Sequence, residues 1–336
     1  MGVKIIKTDE AVGKKLAYDT TLVTKEKAQV LYEKGTLITE DHVKNLKDSG
    51  VYYVYVYEEG GEEVYYEWEI SEAVCKKVID QRLFEYNVAK QGAVLIYSKV
   101  SGIVKVDREA LKALNTSGIA LLISKGSGTA VGSKELVAVV DSLPLYVKKE
   151  EFEKLLKDLK IALTLQQFKY SRIGIVITGT EVYEGRKNDL YGDILNKKAE
   201  KYGWEIVCKE MVPDDEDQIS SAVEKCLKSA EAVIVTGGMS VDATDRTPAG
   251  IKKSGAEIIA HGIPIKPTTM SLIAFKDEKP IFGISAGGIH YRDLNSIDVV
   301  FTKLMAGWRP AKEEIALLGD GGLLPNFEPS SKLHSE

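Results

Sequence analysis

The residues best suited to chemistry in this sequence lie between Ala232 and Pro248, Ala-Val-Ile-Val-Thr-Gly-Gly-Met-Ser-Val-Asp-Ala-Thr-Asp-Arg-Thr-Pro. Four apolar residues, Ala232 to Val235, read as a buried strand, and Thr236-Gly237-Gly238 after them lets a backbone come close to a ligand. Ser240 and Thr244 supply hydroxyls and Asp242 and Asp245 carboxylates, while Thr247 is placed to cap a helix whose first position is Pro248. Strand, glycine turn and helix start in that order make an anion site, because free N–H groups and the positive end of the helix dipole point at one place. Without a ligand the same residues would make an ordinary tight βα turn.

Two more loops share this character. Ile173 to Ile177 predicts a strand ending at Thr178-Gly179-Thr180-Glu181, and Glu205 to Met211 a strand ending at Pro213-Asp214-Asp215. In a chain that alternates strand and helix, the strands form a parallel sheet and ligands bind beyond their carboxyl ends. The three polar loops are therefore expected to converge on one crevice. Taken singly, Asp189, Asp214 and Asp245 are well explained as helix caps. Together, beside glycine loops suited to phosphate, they could hold Mg²⁺ against a pyrophosphate, with Asp214 and Asp245 as the expected metal ligands. Lys266, before Pro267, offers a cation to balance phosphate charge. No Ser-His-Asp or Cys-His arrangement points to covalent catalysis.

The elements that must position these residues fall into four stretches. Residues 1–60 read as a small α+β lobe, with a strand over Val3 to Lys7, Thr8 capping a helix, a second helix from Thr39 to Lys47 and a strand over Val51 to Tyr57. Glu58 to Glu69 reads as a solvated acidic linker. Residues 61–165 read as a β-rich domain in which short apolar runs alternate with turns. Its Gly126-Ser-Gly-Thr-Ala-Val-Gly132 loop lacks a Gly-Lys-Ser/Thr ending and reads as a β-loop. Lys148 to Leu165 has a helical period and links to an α/β domain over 166–312, with helices from Asp189 to Tyr202 and around Ile219, Val223 and Cys226. Residues 313–336 form a tail.

Composition narrows the function classes. Of 336 residues, 45 are Lys or Arg and 50 are Asp or Glu, and the net charge of -5 gives no general attraction to nucleic acid. Any anion must be held by local groups. Three cysteines, odd in number and widely spaced, argue against a disulfide framework and suit a reducing cytoplasm, and four histidines show no zinc-ligand spacing. No apolar run approaches a membrane span.

Ile173-Gly-Ile-Val-Ile-Thr-Gly-Thr-Glu181, Val212-Pro-Asp-Asp215, and Thr236-Gly-Gly-Met-Ser240 followed by Asp245-Arg-Thr-Pro248 resemble the molybdopterin-binding domain of molybdenum cofactor biosynthesis. Thr8-Asp-Glu-Ala-Val-Gly13 and the β-rich lobe after it look like the molybdopterin molybdenumtransferase branch, and closer still like the MoeA-like molybdopterin-binding proteins of anaerobes. The resemblance implies a three-layer α/β fold with a mostly parallel sheet, preceded by an α+β lobe and a β-rich domain. It implies a cytoplasmic homodimer that meets neither nucleic acid nor membrane and binds a small pterin nucleotide. Molybdopterin or adenylylated molybdopterin and molybdate would be its substrates, with Mg²⁺ as cofactor. Thr178, Gly179, Glu181, Gly237, Gly238 and Ser240 would line the pocket together with Asp242 and Thr244, and Asp189, Asp214, Asp245 and Lys266 would act in catalysis. Asp242 stands where the insertases have glycine, Thr268 replaces the glycine after Lys266-Pro267, and Ser285-Ala286-Gly287-Gly288 replaces a Pro-Gly-Asn-Pro loop. These departures leave a second expectation, a non-catalytic carrier or sensor of the same fold.

Overall fold

The computed structural model describes residues 2–23, 28–89, 92–185, 191–240, 245–285, 287–288 and 293–327. At the amino end, β1 (Gly2–Lys7), the hairpin of β2 (Thr20–Val23) and β3 (Ala28–Tyr32), α1 (Glu40–Asp48) and β4 (Tyr53–Glu58) enclose a core of Ala11, Leu16, Ile38, Leu46, Val54 and Val56. β1 and β4 pair antiparallel from Gly2↔Glu58 to Lys7↔Tyr53. Thr39 caps α1 by accepting the His42 N–H at 3.3 Å. Thr8 does not cap an α-helix as expected. Its buried hydroxyl donates to the Val51 carbonyl at 2.8 Å, and Thr8–Glu10 makes only a 3₁₀ turn.

The stretch expected to be an acidic linker is partly ordered. β5 (Val64–Tyr66) and α2 (Glu67–Val78) begin inside it. The chain then runs through β6 (Phe84–Val88), β7 (Val94–Ser98), β8 (Gly102–Val106), α3 (Arg108–Asn115), β9 (Ala120–Ser124), β10 (Ala130–Val131), β11 (Leu136–Ser142), β12 (Tyr146–Lys148), α4 (Lys149–Asp158) and β13 (Leu163–Gln167). Three sheets result, of order β6-β7-β11-β9, β10-β8-β13 and β12-β5. Tyr66↔Tyr146 to Val64↔Lys148 is the pairing that makes a half-buried strand of Val64–Tyr66. The helical reading of Lys148 to Leu165 holds only to Asp158, because Leu163 and Leu165 alternate into the core as a strand against β8.

The C-terminal half contains β14 (Arg172–Thr178), α5 (Thr180–Tyr183), α6 (Tyr191–Tyr202), β15 (Glu205–Val212), α7 (Glu216–Leu227), β16 (Ala232–Gly237), α8 (Thr247–Lys253), β17 (Glu257–His261), β18 (Ser271–Lys276) and β19 (Lys279–Ser285). A π-helical turn, Ile297–Phe301, continues into α9 (Thr302–Met305), and α10 (Lys312–Ala316) follows. The six-stranded sheet has the order β15-β14-β16-β19-β18-β17. Its β14–β15, β14–β16 and β16–β19 pairings are parallel, and β18 runs antiparallel to both neighbours.

Both faces of this sheet are buried, which explains why its central strands are almost continuously apolar. Ile173, Ile175, Ile177 and Ile234 pack on one face with Leu195 of α6 and Phe301 and Leu304. Val176, Val233 and Val235 pack on the other with Ile219 and Val223 of α7 and Ile251 of α8. The result is a three-layer α/β/α sandwich. Ile315 and Leu324, in the stretch read as a tail, join the first of these cores.

One expectation is overturned inside this domain. Cys208 on β15 and Cys226 on α7 form a disulfide, with Cα atoms 5.3 Å apart. Widely spaced cysteines gave no sign of it, because the βα connection folds them together across Gly174, which pairs with Cys208 in the sheet. A Cβ at Gly174 would lie 2.8 Å from the Cys226 Cβ, so glycine makes room for the bridge. Cys75 stays free and buried, and burial pushes its thiol up to about 12. Among the described residues no helix is long and apolar enough to cross a membrane.

Candidate functional site

The carboxyl ends of β14, β15 and β16 are adjacent in the sheet, and the loops leaving them are tied to one another. Thr178 closes β14. Its buried hydroxyl donates to the Thr236 carbonyl at 3.0 Å and lies 2.8 Å from the Thr247 hydroxyl, which must then be the donor between them. Thr247 therefore does not cap α8 as expected. Arg246 precedes the helix, no side chain caps it, and Thr247 turns inward to the strand ends while Pro248 starts the first turn.

Close approach accounts for the glycines. Gly237 has φ +142°, and a Cβ there would sit 1.8 Å from Thr178 Oγ1. A Cβ at Gly238 would sit 2.2 Å from Asp245 Oδ1. The Asp245 carboxylate thus rests on the glycine backbone, and its Oδ2 accepts the Ser240 N–H at 2.6 Å. On the other side, Gly179 at φ +146° donates its N–H to the Val212 carbonyl at 3.1 Å. The Thr180 N–H donates to Asp214 Oδ2 at 3.1 Å, and the Asp214 N–H returns to Thr180 Oγ1 at 3.3 Å. This reciprocal pair resembles a helix capping box stretched between two loops.

Thr178, Gly179, Asp214, Gly237, Gly238, Ser240 and Asp245 are thereby brought together. Glu181 follows on α5, exposed. Lys266 lies at the same end of the sheet, in the segment leading to β18, where Ser271 pairs with Ile284. It is exposed and tied to the C-terminal segment: its N–H donates to the Gly322 carbonyl at 2.7 Å, its carbonyl accepts the Leu324 N–H at 2.8 Å, and its Nζ is 6.0 Å from the Phe327 ring centre. The Lys266–Pro267 bond is cis. Asp189, Asp242 and Thr244 lie outside the described residues.

Two features of the rim escaped sequence reasoning. Thr180 and Thr247 act as structural ties, and nothing in their spacing separates a tie from a solvated hydroxyl. Thr236 is fully buried, and its Oγ1 finds no hydrogen-bond partner among the described residues. As for a metal, no group of three or more His, Cys, Asp or Glu could hold one among the described residues. Among the described residues, Asp214 and Asp245 each accept one backbone N–H on one oxygen and none on the other. They fit Mg²⁺ only as a partial shell completed by ligand oxygens and water, which suits that ion.

Residues 174–294, which carry these loops, match the family described as probable molybdopterin binding domain. The likeness to that family is confined to this stretch, about a third of the chain. Residues 5–58 match a domain of unknown function. The molybdopterin molybdenumtransferase of Staphylococcus aureus (strain Mu50) is 28% identical over 124 residues, 35% of this chain and 30% of the relative. A CinA-like protein of Syntrophus aciditrophicus is 36% identical over 83 residues, 25% of this chain and 20% of the relative. The chain thus spans less than a third of the length of either. Among solved structures, the molybdopterin biosynthesis MoeA protein from Pyrococcus horikoshii is 14% identical, with 91% of this chain and 75% of that one covered and a TM-score of 0.34. The molybdopterin biosynthesis enzyme MoaB from Thermus thermophilus is 17% identical, with 42% and 99% covered and a TM-score of 0.35. The stretch that matches the molybdopterin-binding family model is the part that holds the joined loops.

Proposed function

We propose that this chain binds molybdopterin in molybdenum cofactor biosynthesis and acts, as a homodimer, as a molybdenumtransferase on adenylylated molybdopterin with molybdate and Mg²⁺. The observation that carries the reading is the direct tying of three polar loops at the carboxyl ends of β14, β15 and β16. In this reading the pyrophosphate sits beside the Gly237–Gly238 turn, whose Cβ positions are taken by Thr178 and Asp245. Asp214 and Asp245 offer their second oxygens to Mg²⁺, which would offset the charge that leaves with AMP. Lys266 serves the anionic substrate from the neighbouring strand end. The dithiolene sulfurs of the substrate, soft donors, receive the metal, so no protein cysteine is required there.

Incubation with adenylylated molybdopterin, molybdate and Mg²⁺ should release AMP, and Asp214→Ala and Asp245→Ala should each lower the rate by about 10²-fold or more. No AMP above background, with both variants binding like the parent, would remove the transferase. A second reading is favoured by the same two carboxylates already serving backbone N–H groups: a carrier or sensor that holds the pterin without turning it over. Tight, saturable molybdopterin binding without AMP release would select it.

A further inference from the structure

The Gly126–Gly132 loop, which the sequence leaves as a bare β-loop, forms one wall of a cleft of about 480 Å³ between the β-rich domain and the C-terminal domain. The structure assigns a second site to this cleft: Lys303 of α9 and Lys105 of β8, with Ser127 of the loop, bind the phosphate group of a small phosphorylated molecule.

The cleft is remote from the joined loops. Its floor is the segment around Met305, whose carbonyl accepts the Lys169 and Tyr170 N–H groups just before β14 begins. That is the amino end of the strand whose carboxyl end holds Thr178.

The charge arrangement is the main argument. Lys303 is half-buried, and burial together with the positive charge of Lys105 pulls its ammonium below the ordinary lysine range. Neither lysine has a carboxylate partner among the described residues. The one acid on the rim, Glu314, is already engaged, accepting from Trp308 Nε1 at 3.3 Å and from the Ala311 N–H at 2.8 Å. Two like charges facing one cavity, one of them partly desolvated, are unfavourable until an anion enters.

The walls suit a phosphomonoester better than a bare ion. The Lys303 chain runs along the loop, since a Cβ at Gly128 would meet its Cε at 3.8 Å and its Nζ at 3.9 Å. Its Nζ stands 5.7 Å from the Trp308 ring centre. Ser127 Oγ accepts the Val106 N–H at 3.4 Å and keeps its own proton to donate. The Gly128 and Thr129 N–H groups are used within the chain, so the loop contributes shape and a hydroxyl while the lysines contribute charge. Beyond the lysines, Ile103, Trp308 and Leu318 give an apolar wall, and the volume falls in the range of small-molecule sites.

Calorimetric titration of the full chain with phenyl phosphate, inorganic phosphate and phenol tests this. Phenyl phosphate should bind saturably and more tightly than inorganic phosphate, phenol not at all, and affinity should fall as salt rises. Lys303→Met should weaken binding by about tenfold or more and Lys303→Arg should largely restore it. Asp245→Ala, at the other end of the sheet, should leave this titration unchanged whatever it does to AMP release. Because Lys303 is partly desolvated and has no carboxylate partner among the described residues, Lys303→Met should keep or raise Tm. No saturable binding by the parent chain, unchanged affinity in Lys303→Met/Lys105→Ala, or a lowered Tm in Lys303→Met would overturn the assignment.

Discussion

Thr178 and Gly237 interlock across the β14–β16 pairing: a side chain on the glycine would occupy the position of the threonine hydroxyl, 1.8 Å away. Position 237 is also at φ +142°, where any Cβ is strained. Gly237→Ala should therefore destabilise the domain by roughly 3 kcal/mol or more. Thr178→Ala added to it should rescue only part, because the backbone term remains. Thr178→Val alone keeps the shape, loses the Thr236 bond and strands the Thr247 hydroxyl, costing ~1–3 kcal/mol. Urea midpoints of the three variants check the order.

The Cys208–Cys226 bridge closes a short loop around the β15–α7 connection, with 18 residues of sequence separation. A loop near that length constrains the unfolded chain by about 3 kcal/mol. Cys208→Ala/Cys226→Ala should lower stability by that order. Reductant should lower the parent to a similar midpoint and leave the double variant unmoved. A parent insensitive to reductant would mean the bridge contributes nothing.

The strand–loop–helix rhythm of the C-terminal half was legible because both faces of its sheet are buried, so apolar runs such as Ala232 to Val235 stand out from their turns. The meeting of Thr178, Asp214 and Gly238 could be read from parallel-sheet topology alone. The ties could not. Thr247 looks like a cap until its partner across the sheet is known, and Cys226 looks like plain core because its partner lies on the next strand. Thr8 and the acidic stretch after Glu58 misled for a related reason, since local composition does not register pairing with Val51 or with β12.

Thr268 is the departure from the family pattern that the backbone explains. It sits at φ +79°, the conformation for which glycine is best suited, and a β-branched residue there is strained. Its buried Oγ1 lies 2.7 Å from Ser296 Oγ and accepts the Ser296 N–H at 3.1 Å, which offsets the strain. Thr268→Val keeps the strain and removes these bonds, so it should cost ~2 kcal/mol or more. Thr268→Gly removes both and should be the milder change. The reverse order in thermal unfolding would refute this account.

Glu231 sets an acid-side dependence. Its carboxylate accepts the Ser171 N–H at 2.9 Å and the Arg172 N–H at 3.0 Å at the start of β14. These backbone bonds, the Ser171 bond first, hold its pKa below the usual carboxylate value. A lowered folded pKa means stability that is present above the unfolded value and is lost as pH falls through the folded one. Glu231→Gln should therefore flatten the acid limb of the stability curve and leave its shape at alkaline pH unaltered.

Lys198 and Asp298 form a buried ion pair at 2.6 Å, with side chains 5% and 4% exposed. Asp298 also accepts from the Tyr202 hydroxyl at 2.8 Å and the Asn295 N–H at 2.9 Å, so α6 is joined to the segment that leads into α9. Such a pair gains little over a well-packed apolar one, but either charge left alone is costly. Lys198→Met should destabilise by ~3–5 kcal/mol, whereas Lys198→Met/Asp298→Leu should recover a large part despite the lost bonds to Tyr202 and Asn295. Because neither residue takes part in the hydrogen bonds that tie the joined loops, molybdopterin binding by the folded double variant should be near that of the parent. A double variant as unstable as the single one would show that the hydrogen bonds to Asp298, rather than charge balance, hold this face together.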